Sequence, residues 1–117
     1  MTVMKFDRFE EIIVWQKAKS FVVDIYSVFG TLRDFSFKDQ VVRAAVSIMN
    51  NIAEGFERKS NQEFKYFLFI SKGSCGEVRS MLHLAVDLKY ITQEKEKQMI
   101  LCAEEISKML SGLIKTL

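Results

Sequence analysis

A single histidine, His83, and two cysteines, Cys75 and Cys102, are all the imidazole and thiol this chain offers for nucleophilic or metal chemistry. Cys75 and His83 fall on one helical pattern, ~12 Å apart by helical rise alone, too far to form a hydrogen-bonded nucleophile and base. A di-iron bundle requires a glutamate three residues before each of two histidines, and His83 has Ser80 there. The cysteines are far apart and lack CxxC spacing, so both are expected as buried free thiols rather than a disulfide. The GSCG run, Gly73 to Gly76, lacks the Lys-Ser or Lys-Thr pair and the preceding strand of a phosphate-cradling loop. Its glycines instead suggest a closely approaching neighbour. Glu54 and Glu57 have no metal partner or second acidic pair, so they read as a structural ion pair or a solvated face. These residues point away from catalysis, from a metal and from a cofactor.

Two other patterns carry more. At about 100° per residue, Arg43, Ser47, Asn51 and Glu54 fall in one narrow arc with Asn50 beside it. Most of the same helix is apolar, including Val41, Val42, Ala45, Val46, Ile48, Met49, Ile52 and Ala53. A surface wider than one stripe indicates burial on two sides: one against the helix's own bundle, the other at a seam between copies of the chain. Val42, Val46, Ser47, Asn50, Asn51, Ala53 and Glu54 are the candidate seam. The asparagine amides would bond across it or to Glu54 and Arg43, fixing register at some cost in stability; a solvated arc without function is the plainer reading. The second pattern is a basic row, Lys65, Lys72 and Arg79, spaced by seven and interleaved with Phe69, Gly76 and His83. It is expected opposite the core stripe, where lysines as point charges and an arginine fork suit a phosphate backbone. Arg58 and Lys59 extend the row and Arg43 adds to it. The plain alternative is a soluble face that happens to be basic.

Helices must position these groups. The chain has no proline, where average usage of about 5% predicts some six, and long helices tolerate that best. Apolar residues recur at helical spacing in four blocks. The first runs from about Glu10 to Phe29, with Ile12, Trp15, Ala18, Val22, Ile25 and Phe29 inward and Gly30 as its stop. The second starts near Ser36 as cap, with Asp39 in its first turn, and carries Val41, Ala45, Ile48 and Ile52 to about Phe56. The third opens on a capping box, Ser60 and Glu63, and runs to about Leu88 with Phe64, Phe67, Ser71, Ser74, Val78, Leu82 and Ala85 inward. Thr92 caps the fourth, whose inner stripe is Met99, Ala103, Ile106, Leu110 and Leu113. Short connections make an all-α, up-down-up-down antiparallel four-helix bundle, one domain over residues 1–117.

The bulk numbers are those of an ordinary globular chain: 49% hydrophobic, 27% charged and a formal net charge of +2 over 117 residues. Charge is evenly spread, so a polyanion partner must be met by arrangement rather than by composition. The longest strictly apolar runs, such as Tyr66 to Ile70, are far short of the ~18 residues of a membrane span. Residues 1 to 11 are charged and carry no apolar targeting region, which makes the cytoplasm the expected location.

The stretch from Gln40 to Val78 resembles the small four-helix-bundle proteins encoded in intervening sequences of bacterial 23S ribosomal RNA genes, the S23 family. The likeness rests on Gln40, Arg43, Ala44, Ala45, Ser47 and Ile48, then NIAEG at Asn51 to Gly55, then Ser60, Glu63, Phe64 and the Gly-Ser before Glu77. VWQKA at Val14 to Ala18, with Tyr26, is similar to the family's opening, and DLKYI at Asp87 to Ile91 to its turn between the third and fourth helices. The resemblance implies a closed homopentameric ring without catalytic activity. It also implies kinship with accessory proteins of diversity-generating reverse transcriptases, which bind nucleic acid through a basic surface, so a reverse transcriptase is a conceivable partner. Two departures stand out: Met49 where the family often has proline, which leaves the second helix straighter, and Val42 with Arg43 where it often has two basic residues. The functional expectation is a non-enzymatic homo-oligomer that binds RNA or DNA. The alternative is a protein-binding scaffold with no nucleic-acid contact.

Overall fold

The computed structural model describes residues 6–117, so the first part of the charged N-terminal stretch lies outside the described residues. A short 3-10 turn, Phe9–Glu11, leads into α1 (Ile13–Phe29), followed by α2 (Phe35–Glu57), α3 (Asn61–Asp87) and α4 (Gln93–Ile114). The helices form a rod 48 × 22 × 19 Å across its principal axes. Consecutive helices run antiparallel: Ile48 meets Ser71 while Gly55 meets Phe64, and His83 meets Glu96 while Lys72 meets Ser107. The expected four-helix bundle is the fold.

Helix starts follow local chemistry. The Ser60 hydroxyl accepts from the Glu63 amide at 3.3 Å and the Thr92 hydroxyl from the Lys95 amide at 3.1 Å, each satisfying an orphan donor of the first turn. The second helix departs from expectation. Its cap is Asp34, which accepts from the Phe37 amide at 3.1 Å, rather than Ser36, and Asp39 therefore lies past the first turn. Starting there places Phe37 on the buried stripe with Val41, Ala44 and Ala45. The first helix begins at Ile13 rather than Glu10, because Phe9–Glu11 forms the 3-10 turn. Gly30 does end α1, in right-handed backbone. α3 closes through a left-handed Lys89 (φ 63°), with Tyr90 N–H on the Ala85 carbonyl and Lys89 N–H on that of Val86, the Schellman pattern without its usual glycine.

All four stripes meet in one core, where each fully buried Leu, Ile or Phe contributes roughly 1.5–3 kcal/mol. Trp15 and Phe67, assigned inward, are only half-buried, while Val14, Phe21, Leu68 and Cys75 join the core. Cys75 is a buried free thiol, but Cys102 is exposed, contrary to expectation. The reason is tertiary: Cys102 lines an open groove of 340 Å³ between α1 and α4, bridged by Lys17 and Glu105 at 3.3 Å. The packing expectation for Gly73 and Gly76 also fails within the chain, since a β-carbon on either would meet nothing within 4 Å. The glycine that does admit a neighbour is Gly55, buried where α2 closes on Phe64 and Phe67 of α3.

Candidate nucleic-acid interface

The arc on α2 is built around Ser47. The Asn51 amide donates to the Ser47 carbonyl at 2.8 Å and to its hydroxyl at 2.9 Å, and the Ser74 hydroxyl of α3 donates to Ser47 Oγ at 2.9 Å. One residue on, Ser71 donates to the Ile48 carbonyl at 2.9 Å inside the same interface. Asn51 is thus satisfied by its own helix and linked through Ser47 to α3, rather than bonded to Glu54 or Arg43. Ser71 and Ser74 are the buried polar side chains of the core, and these bonds remove the cost of burying them. The seven candidate seam residues divide by exposure: Val42, Val46, Ser47, Asn51 and Ala53 are half-buried, Asn50 and Glu54 exposed. Val42 and Val46 pack against the chain's own core. The wide apolar surface of α2 therefore has a source within one chain, because α2 lies between α1 and α3.

The candidate basic residues outside the α3 row differ in their partners. Arg58 is held at the α2–α3 turn, 3.0 Å from Glu54 and 3.6 Å from Glu63, with its guanidinium 5.0 Å from the Phe67 ring centre. Two exposed carboxylates pair with it, so a phosphate would have to displace surface ion pairs worth about 0–1 kcal/mol. Lys59, in left-handed backbone, lies over the Phe56 ring at 5.4 Å. Arg43 is exposed, with neither ion pair nor hydrogen bond among the described residues.

The row on α3 borders the groove to α4 rather than facing away from the bundle. Lys72 Nζ reaches across to donate to Ser111 Oγ, to Ser107 Oγ at 3.2 Å and to the Ser107 carbonyl at 3.4 Å. His83 Nδ1 is 2.9 Å from Glu96 Oε2. Arg79 shares a recess of 240 Å³ with Glu104, Ser107 and Lys108 of α4. Lys65, Arg79 and Lys108 have no ion pair or hydrogen bond among the described residues. Phe69, interleaved with the row, is 55% exposed. Lys108 and the two serines escaped the sequence reading because α4 shows no regular basic spacing; only its register against α3 brings them to Lys72 and Arg79.

Elsewhere the chemistry is sparse. Burial pushes the Cys75 thiol up to about 11, which keeps it protonated and unreactive at neutral pH. The Tyr90 hydroxyl donates to Asp34 Oδ2 at 2.6 Å, tying the α3–α4 turn to the start of α2. That bond, with the Phe37 amide, lowers the carboxyl pKa of Asp34, and the same bond raises that of Tyr90. Among the described residues no three His, Cys, Asp or Glu side chains gather as a metal site, and no helix is long and apolar enough to cross a membrane.

A family model described as 23S rRNA-intervening sequence protein matches residues 10–112. Among solved structures the chain is similar to a protein of unknown function from the S23 ribosomal protein family of Bacteroides thetaiotaomicron VPI-5482. The two are 29% identical, with 89% of this chain and 96% of that one covered and a TM-score of 0.82. No curated protein gives a significant match. With the family model running from the turn before α1 to near the end of α4, the chain belongs to the 23S rRNA-intervening sequence protein family.

Proposed function

We propose that this chain is a non-enzymatic, cytoplasmic helical protein that assembles as a homo-oligomeric ring, a pentamer being favoured, and holds RNA or DNA against basic helix surfaces repeated around that ring. The observation that carries this reading is the cationic border of the α3–α4 groove. Arg79 and Lys108 have no ion pair or hydrogen bond there among the described residues, and Lys72 is held by hydroxyls and a carbonyl rather than by a carboxylate. Unneutralised charge on one face is what a phosphate backbone requires, and repetition around a ring multiplies a modest local charge. Exposed Phe69, interleaved with the basic row, supplies a face on which a base can stack.

The test is a salt titration of binding to mixed RNA and DNA, run together with a solution mass. Retention that falls steeply between about 50 and 200 mM salt supports the reading, and no retention at low salt ends it. A strictly monomeric species at micromolar concentration ends the ring. A protein-binding scaffold without nucleic-acid contact is the second reading. It is favoured by the open α1–α4 groove and by Val23, Tyr26 and Leu101, each more than half exposed; a reverse transcriptase is one candidate partner for either reading.

A further inference from the structure

We propose that the recess between α3 and α4 lined by Arg79, Glu104, Ser107 and Lys108 is a seat for one backbone phosphate of a nucleic acid, with Lys72 positioning its serine. This rests on the nucleic-acid reading above and narrows it to one place and one chemistry.

The recess has the right size, charge and donors. Its 240 Å³ is below the roughly 300–1,000 Å³ of sites that enclose a whole small molecule, but it admits a phosphate whose sugar and base remain outside. Arg79 and Lys108 bring two positive charges and Glu104 one negative, leaving a net single positive charge to meet the single negative charge of a phosphodiester. Glu104 stands one turn before Lys108, the spacing and direction in which the two would normally pair, yet no ion pair joins them or joins Glu104 to Arg79. Both cations are left available to an incoming anion: a planar fork from Arg79 and a point charge from Lys108.

Ser107 supplies the neutral donor. Its oxygen accepts from Lys72 at 3.2 Å, and no acceptor is recorded among the described residues for its own proton. A hydroxyl that accepts from an ammonium is polarised into a stronger donor. Lys72 spends its three N–H donors on Ser107 and Ser111, so it does not touch the phosphate. It fixes the serine and adds positive potential from behind, acting as a positioning residue. Glu104 opposes the bound anion and keeps the seat weak and reversible.

The experiment uses the full chain and a fluorescein-labelled RNA oligomer, followed by anisotropy across a salt series. Neutralising Arg79→Gln with Lys108→Gln removes the seat; Lys95→Gln with Lys97→Gln removes the same charge from the same helix elsewhere. The first pair is expected to weaken binding about tenfold or more at low salt and to lower the slope of log affinity against log salt by about one, while the second leaves binding nearly unchanged. Glu104→Gln is expected to tighten binding about two- to fivefold, and Glu94→Gln to leave it alone. The charge-retaining pair Arg79→Lys with Lys108→Arg should keep most affinity, and an unchanged thermal melt shows that each variant folds. Equal loss from the two neutralised pairs would overturn the seat while leaving general nucleic-acid binding intact. No wild-type binding at low salt would overturn both. Binding to phosphatidylglycerol vesicles that needs Arg79 and Lys108, without binding to RNA, would reassign the recess to a lipid phosphate and overturn the proposal as well.

Discussion

Replacing Gly55 by alanine tests a close approach between α2 and α3. A β-carbon there would lie 2.7 Å from Phe67 Cβ, 3.0 Å from Phe64 Cδ1 and 3.3 Å from the Phe64 carbonyl oxygen. Ordinary carbon contacts are about 3.5–4.0 Å, so the helices must part by roughly 1 Å. Phe67 Cβ is fixed to the α3 backbone and no rotamer change moves it. Overpacking of this kind costs about 1–3 kcal/mol, and the better helix propensity of alanine returns up to about 1 kcal/mol, less near a helix end. A net loss of about 1–2 kcal/mol, spread over an unfolding entropy near 2.1 cal/mol/K per residue, lowers Tm by about 4–8 °C for this length. Gly73→Ala and Gly76→Ala meet open space and should gain about 0.5–1 kcal/mol each, raising Tm by a few degrees. Thermal and urea unfolding of the three variants decides the matter. Gly55→Ala melting as high as Gly73→Ala would refute the packing argument. A fall in Tm with Gly73→Ala would show that a neighbour covers that face of α3 in solution.

The thiols should differ sharply: at pH 8 an aromatic disulfide reagent should titrate about one cysteine of the native protein quickly, Cys102, and reach Cys75 only on unfolding. Equal rates would contradict the burial of Cys75. The Asp34–Tyr90 bond predicts a loss of stability at both ends of the pH range. The carboxyl pKa of Asp34 is depressed in the folded state, so its contribution is present above the unfolded value of about 4 and is lost as pH falls through the folded one. That of Tyr90 is raised, so its contribution is present below about 10 and is lost as pH rises through the folded value. Asp34→Asn keeps an N-cap acceptor but removes the charge, so denaturant midpoints between pH 6 and pH 3 should fall less than in wild type; an identical fall would refute the linkage.

Helix order, the capping of α3 and α4 and most of the core were legible from local order alone. A cap such as Ser60 or Thr92 acts within three residues, and a stripe such as Met99, Ala103, Ile106, Leu110 and Leu113 repeats at the helical period whatever packs on it. The fourth stripe is buried throughout. The cap of α2 was not legible: the sequence reading places it at Ser36, and the structure places it at Asp34. Asp34 is also held by Tyr90, 56 positions away, a contact with no trace in the local pattern.

The family was legible because its motif lies in a contiguous stretch of α2 and α3. The site was half legible: Lys72 and Arg79 stand out by spacing, but whether they face solvent or α4 depends on rotation of α3 in the bundle. Only the packed structure places Lys72 on Ser107 and Ser111, sets Lys108 beside Arg79, leaves Cys102 in an open groove and turns Asn51 onto Ser47. Periodicity determines which face of a helix is apolar, since that is a property of one segment. What borders that face is decided by the register and separation of two helices, and these come from summed packing across the whole core.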